Sequence, residues 1–553
     1  MHRLANPLKQ ETDADPNGTP RLAKTNRELG VTPEGVRLNA DGARQQNQNK
    51  VKAGNLSTSP AASTYVSGAH WVAILDSIAE LKEQVEFEKG ITPAELDDDK
   101  GAEDVERPAL LFGYQGSSSK EALIDSMPER PVVDRLVSQY FNDLDMMSHV
   151  PCLHTATFLR QPKLPRRPLY LEQVVQCLRL GEYSRGGPFV LEALIHYFMI
   201  EHLRRPDTEV DIWLLLGVLL RLALRVGYHR DPSQFDTITP FEGEMRRRIW
   251  VSLYSVDVML SMKVGVPRML QDSQSDTRPP RNLLDSDFDE GCSELPPSRN
   301  ENDVTPIFYI LARHKMSKVM GILMDIINAT QHDESEIDRA EKLLLETYNS
   351  LPSILKVTPS CNTLADSPQT IVHRFVLATA VHCAQIVLHQ HRISAPGRID
   401  LAHPGHSFST LLDAALNILT YQHAIDTETQ PGGRLWSVRR KFSSTLTHEF
   451  LLATTVLSKI LFPTLGPHPL VLAGSEMVAK IYSKLEQTHG IWLRLSGESK
   501  QARQAADVLT SLFNALDAKT TSLESLDRDI TMVDLENYLW FEPGTFFPNC
   551  LLE

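Results

Sequence analysis

Four histidines lie close together in one stretch of helical pattern: His373, His382, His389 and His391. Imidazole nitrogens are common transition-metal ligands, so spacing decides whether these side chains can share an ion. On a helix His382 and His389 share a face but sit about 10 Å apart along the axis. Zinc bonds its ligands at about 2.0–2.1 Å, so this helix alone cannot bring both to one ion. His389 and His391 point to different faces. These four read as ordinary core or surface histidines. The six cysteines, Cys152, Cys177, Cys292, Cys361, Cys383 and Cys550, contain no C-x-x-C pair, which excludes the usual zinc-knuckle spacings. The expectation is no metal and no cofactor.

Catalytic patterns are equally sparse. The sequence has no phosphate loop, no Gly-x-Gly-x-x-Gly, no Gly-x-Ser-x-Gly and no His-Glu-x-x-His; His448-Glu449 lacks the second histidine. Asp285-Ser286-Asp287-Phe288-Asp289-Glu290 has the look of a calcium loop for a few residues, without its glycine or its terminal glutamate at the required spacing. It reads as turn chemistry, with aspartates bonding their own backbone. No catalytic residue is assigned, and an enzyme is not expected.

The chain has 553 residues, 42% of them hydrophobic, and a net charge of −14. That balance argues against a chain that is basic throughout and holds nucleic acid by charge alone. Scattered cysteines suit a reducing compartment, and no run is read as membrane-spanning. The pattern of long 3.6-period segments between Pro-, Gly- and Ser-containing loops, with no strand run, predicts an all-α fold: a large irregular helical bundle with a disordered N-terminal segment.

In order, residues 1–62 are polar and poor in aromatics and read as disordered. Residues 63–127 hold a short heptad helix and an acidic linker from Glu95 to Glu106. Trp71, Ile74, Ile78, Leu81 and Val85 repeat with 3-4-3-4 spacing, as in the seam of a two-chain coiled coil or on the inner face of one docked helix. The main helical domain is expected over 128–465, with helices near 304–331, 337–350, 370–392, 409–424 and 444–462. C-terminal helices follow over 466–526. The last segment, 527–553, mixes acidic residues with Leu535, Leu539, Trp540 and Phe541, the composition of an activation segment or of a docked terminal helix.

The informative stretch is 211–290. Asp211 to Gly227 is apolar at nearly every position except Gly217, Arg221 and Arg225, the mark of a buried helix capped by Asp211 and ended by Gly227. Tyr228-His229-Arg230-Asp231-Pro232-Ser233 follows, then Glu244-Met245-Arg246-Arg247-Arg248-Ile249-Trp250, then Asp257, Gly265 and Pro267. Three arginines near a helix start oppose the macrodipole and need acidic partners; Glu242, Glu244 and Asp257 are the nearest. A structural ion-pair network is the plain reading, and contact with nucleic acid is the other.

This ordered set resembles the middle homology region of fungal zinc-cluster transcription factors. The family-motif positions are Gly227, His229, Arg230, Asp231, Pro232, Glu244, Arg246, Arg247, Arg248, Trp250, Asp257, Gly265 and Pro267. The resemblance implies a nuclear regulator of RNA polymerase II genes, acting through a helical regulatory domain. It also implies a six-cysteine binuclear zinc cluster before the heptad helix, a pattern not found in residues 1–62. DNA contact is therefore expected only through a cluster missing from this chain or through a partner protein. A homo- or heterodimer is implied by the heptad helix, and contact with the transcription machinery by the tail. The segment 162–169 is shorter than the resemblance leads one to expect, which would leave apolar helix faces uncovered. The alternative is a small-molecule-binding or scaffold protein derived from such a regulator.

Overall fold

The computed structural model describes residues 55–58, 63–66, 70–76, 108–112, 120–125, parts of 129–138, and 170–529 apart from breaks at 204–206, 208–209, 330–333, 358–365, 394–404, 437–438 and 462–474. A short antiparallel hairpin, β1 (Asn55–Thr58) and β2 (Ser63–Val66), pairs Asn55 with Val66 and Thr58 with Ser63. It straddles the boundary at 62, where no sheet was expected. Three short helices follow: α1 (Trp71–Asp76), α2 (Ala109–Phe112) and α3 (Lys120–Asp125). Everything else with regular form is helical. These helices are α4 (Tyr170–Leu180), α5 (Val190–Leu203), α6 (Val210–Arg225), α7 (Pro240–Val264), α8 (Phe308–Asn328), α9 (Glu334–Ser350), α10 (Pro368–Ile393), α11 (His406–Glu428), α12 (Arg439–Leu461), α13 (Ser475–Leu495) and α14 (Lys500–Asp529). The all-α class holds.

Two apolar clusters fill the bundle. The first joins α4 to α10, with Tyr197, Leu219, Ile249, Met316 and Leu344 among its buried members. The second joins α1 with α10 to α14, with Ile418, Leu451, Ile481 and Trp492 among its members. Helix α10 belongs to both: Leu377, Val381 and Leu388 face the first, Ile371, Val372 and Ile386 the second. A helix gripped on two sides must be apolar around most of its girth. Its stretch Pro368–Gln390 is therefore long and apolar enough to cross a bilayer by length and composition, with mean hydropathy 1.6. This corrects the sequence reading, in which its histidines concealed the run. In the fold 72% of its most apolar 18-residue window is buried inside the bundle, as suits a core helix.

The ends of α6 and α7 follow from local chemistry. After α6, Gly227 adopts φ 82°, and the Tyr228 amide donates to Ala223 O at 3.0 Å. Thr239 caps α7 in a reciprocal capping box with Glu242, and Pro240 occupies the first turn, where a missing N–H costs nothing. Gly265 ends α7 at φ 75°, its amide donating to Ser261 O. Leu180, Phe189, Ile200, Val210 and Leu214, on or beside α4 to α6, are large apolar residues left exposed.

Of the five seam candidates, Trp71 and Ile74 are buried in the second cluster of their own chain, where α1 packs on α12. Ile78, Leu81 and Val85 lie outside the described residues. The heptad period is thus met here, at its first two positions, by docking rather than by a second copy. Accordingly, Ile74→Ala should destabilise the chain by about 2–5 kcal/mol in chemical denaturation, while its sedimentation coefficient stays unchanged. A change of association state without loss of stability would contradict this placement.

Candidate functional site

The motif residues converge where the start of α7 meets the turns before and after it. Asp231 caps a short 3-10 turn, Pro232–Gln234, by accepting from the Ser233 amide at 3.0 Å and the Ser233 hydroxyl at 2.6 Å. Arg247 grips the same carboxylate with two nitrogens, Nη2 to Oδ1 at 2.7 Å and Nε to Oδ2 at 3.1 Å. The Arg278 amide adds a fourth donor group at 2.9 Å. Burial alone would raise the Asp231 pKa, but the bonds from Arg247, Ser233 and the Arg278 amide outweigh it and hold the carboxyl far below its ordinary range. Such two-pronged, charge-assisted contact fixes orientation as well as distance.

The neighbouring arginines take different partners. Arg248 is fully buried. Its Nη1 donates to Asp285 at 2.9 Å and its Nη2 to Leu283 O at 3.3 Å; its Nε lies 3.5 Å from Glu244. It also lies over the Phe288 ring. Arg246 donates to Val226 O at 2.7 Å and stacks 4.2 Å over Tyr228, tying α7 to the end of α6. Arg230 pairs with Asp276 at 3.1 Å on the surface, and the His229 ring lies against Trp250. The three arginines thus have structural partners within the chain, so the nucleic-acid alternative has no free guanidinium here to rest on.

Two expected partnerships are corrected. Glu242 does not face the arginines but serves the Thr239 capping box. Asp257 does not pair with Arg246, Arg247 or Arg248 either. It accepts from the Leu270 amide at 2.7 Å and the Met269 amide at 3.3 Å, so it fixes the chain after Pro267 against α7. Arg268, which the sequence reading passed over, binds Asp325 at 2.5 Å, Asp272 at 3.0 Å, the Tyr254 hydroxyl at 2.9 Å and Leu270 O at 2.7 Å. Gly321 permits this: a Cβ there would lie 2.9 Å from the Tyr254 oxygen and 3.0 Å from the guanidinium. The only signal in the sequence was an arginine directly after Gly265-x-Pro267.

A second buried polar group sits at the far end of α7. Lys263 is buried, donates to Thr445 O, and has Glu449 at 3.9 Å. Its own carbonyl is bonded to His70 Nε2 at 2.9 Å, and the His70 and His448 rings are 5.2 Å apart. Burial keeps both imidazoles neutral: it lowers His70 to about 4 and His448 well below the usual histidine range. Burial also raises the Cys383 thiol, which makes it inert as a nucleophile. Beside this group is a small cavity. Met262, Met320, Met324 and Val387 form apolar wall, while Ser261, His70 and His448 supply polar edges. Its volume, about 40 Å³, leaves room for a few water-sized groups, well short of the roughly 300 Å³ of an ordinary small-molecule site. Two histidines of α10 are placed individually, His373 stacked on Tyr309 at 3.6 Å and His382 against Gln385 and Tyr421, while the side chain of His391 lies outside the described residues. The tail candidates Leu535, Leu539, Trp540 and Phe541 lie outside the described residues.

Around α7 these groups hold helices and turns in register. The architecture is that of an internally clamped helical domain. The family model "Fungal specific transcription factor domain" matches residues 198–358, which contain the whole clamp. The chain is 36% identical over 528 residues to the Zn(2)-C6 fungal-type transcription factor mpsB of Macrophomina phaseolina, covering 86% of this chain and 70% of that protein. It is 37% identical to the Zn(2)-C6 fungal-type transcription factor pigI of Monascus ruber, covering 80% and 60% respectively. It is 34% identical to the equisetin cluster transcription factor eqxF of Fusarium heterosporum, covering 82% and 72%. No solved structure matches the chain. The chain belongs to the fungal Zn(2)-C6 transcription factor family, whose members are transcriptional regulators rather than enzymes.

Two measurements check the site. Asp257→Ala should cost about 1–4 kcal/mol, since the buried Leu270 amide loses its acceptor at about 1–3 kcal/mol and the half-buried Met269 amide loses a weaker one. Combined with Arg247→Ala, the losses should add to within about 0.5 kcal/mol; a larger coupling would restore the Asp257–arginine pairing. The second concerns pH. The folded pKa of His70 lies below its unfolded value of 6.5, so the stabilisation from burying it neutral is complete above pH 6.5. It is lost as pH falls towards 4, by up to about 3 kcal/mol. His70→Gln should flatten that part of the stability profile, and parallel profiles for the two proteins would contradict the assignment.

Proposed function

We propose that this chain is a nuclear regulator of RNA polymerase II transcription that controls the genes of a biosynthetic cluster. The observation that carries the reading is the clamp of α6, α7 and the 268–285 turns. It sits inside the family match, in a chain related over most of its length to a regulator named for the equisetin cluster. In this reading the helical unit is the regulatory region. DNA is reached through a zinc cluster outside these residues or through a partner chain, as a homo- or heterodimer. The segment 527–553 supplies contact with the transcription machinery. The space beside His70 and His448, about 40 Å³, admits only a very small effector. A purely ligand-binding or scaffold role is the other reading the cavity admits.

Two linked measurements test this. Deleting the gene should lower transcripts of neighbouring biosynthetic genes at least several-fold, and unchanged transcripts would favour the scaffold reading. Residues 527–553 fused to a heterologous DNA-binding domain should activate a reporter, and Trp540→Ala with Phe541→Ala should abolish that activation. A silent, well-expressed nuclear fusion would remove the activating role from the tail.

A further inference from the structure

Helices α9, α10 and α11 bring three ligand-type side chains to one point. Glu341 comes from the middle of α9, His389 from near the end of α10, and His406 is the first residue of α11. His389 Nε2 lies 3.0 Å from Glu341 Oε1, and His406 Nε2 lies 3.6 Å from the same oxygen. All three ligand atoms fall within 4.8 Å of one another. We propose that Glu341, His389 and His406 form a binding site for one divalent transition metal of the zinc class.

The geometry is close to what such an ion requires. With bonds of about 2.0–2.2 Å in a tetrahedral arrangement, neighbouring ligand atoms stand about 3.3 Å apart. The two contacts to Glu341 bracket that separation. Two imidazoles and one carboxylate suit zinc, cobalt or nickel, and they are a poor match to calcium or magnesium, which take oxygen ligands. The His389 ring is completely buried and Glu341 is 12% exposed, so two ligands are held by the surrounding structure. His406 is 75% exposed, so its ring can rotate to close the site while water fills the fourth position.

The rings of His389 and His406 meet edge-on, with centroids 5.8 Å apart. An ordinary His389–Glu341 pair would give His406 no role, and that difference makes the proposal testable. The location also gives the ion a consequence. Ile337, Ala340 and Leu344 of α9 belong to the first apolar cluster, while Leu411, Leu412 and Ala414 of α11 belong to the second. Metal at this point would staple the two clusters where α10 runs between them.

The test uses the full chain, stripped with a chelator and titrated with zinc against a chromophoric competitor, and separately with cobalt(II) followed by visible absorption. The expected result is one equivalent bound at a tetrahedral nitrogen and oxygen site, with a zinc-dependent rise in Tm. His406→Ala should weaken binding at least tenfold and abolish the Tm rise, while the metal-free Tm is unchanged because the side chain is exposed. Glu341→Gln retains a carbonyl oxygen facing His389 and should weaken binding comparably. Zinc binding of equal affinity in wild type and His406→Ala, or no bound equivalent in the wild type at tens of micromolar zinc, would overturn the proposal.

Discussion

Four ionisable side chains of one helix, Glu244, Arg248, Asp257 and Lys263 of α7, are almost completely removed from water. Each would be expensive to bury alone, and each keeps its place only if a partner arrives from elsewhere in the chain. The partners come mainly from loops: Asp285, Leu283 O and the Arg281 amide for the first pair, the Met269 and Leu270 amides for Asp257. Apolar burial is non-directional and tolerates many arrangements of a loop. A buried carboxylate or guanidinium tolerates few, because its bonds have fixed lengths and angles. The irregular segment 266–303 is held by this requirement. It contains no α-helix and no strand, yet it is fastened to α7 at Asp257, Glu244 and Arg248 in succession. Asp231 fastens the segment before α7 in the same way, through Arg247.

This explains what could be read in the sequence. The helices were legible wherever the apolar period was long, as in α6, α8 and α13, because the 3.6-residue repeat is a local property. The ends at Gly227 and Gly265 were legible because a left-handed cap favours glycine and little else. The arginine run announced that it needed acids, and Glu244, four residues before Arg248, could be found by helix arithmetic. Asp231 and Asp285 could not, since their distances from the arginines depend on how two turns fold back. Asp257 was assigned to the wrong partners for the same reason: its spacing places it on the helix, while its bonds run to a loop.

Other parts of the sequence were ambiguous in kind rather than in position. A 3-4 apolar repeat describes a helix that docks on its own core as well as one that pairs with a second chain, and the neighbours of Trp71 and Ile74 decide between them. Along their own helix, the histidines of α10 are spaced so that His389 can share an ion with neither His382 nor His391. The structure adds Glu341 and His406 to His389 from the helices on either side, and no reading of one segment contains that information. The hairpin of β1 and β2 is short and polar, so its pattern barely differs from that of a loop.

The two apolar clusters are joined along α10 and the end of α7. Helix α10 contributes to both, Met262 packs against both, and the Lys263–Glu449 pair ties α7 to α12 across the boundary. The cavity at His70 and His448 opens on this boundary at one level, and His389 stands on it at another. Burial already holds these imidazoles neutral at His70 and His448, so a bound molecule or a proton there acts on groups that have no water to screen them. Gly265, the left-handed cap of α7, packs close to His70, since a Cβ added there would lie 3.1 Å from the His70 side chain. That cap leads directly to Arg268 and the amides held by Asp257. The cavity wall and the clamp therefore share one short run of chain: Gly265 and Val266 line the cavity, Arg268 binds the Tyr254 hydroxyl of α7, and the Leu270 amide is held by Asp257.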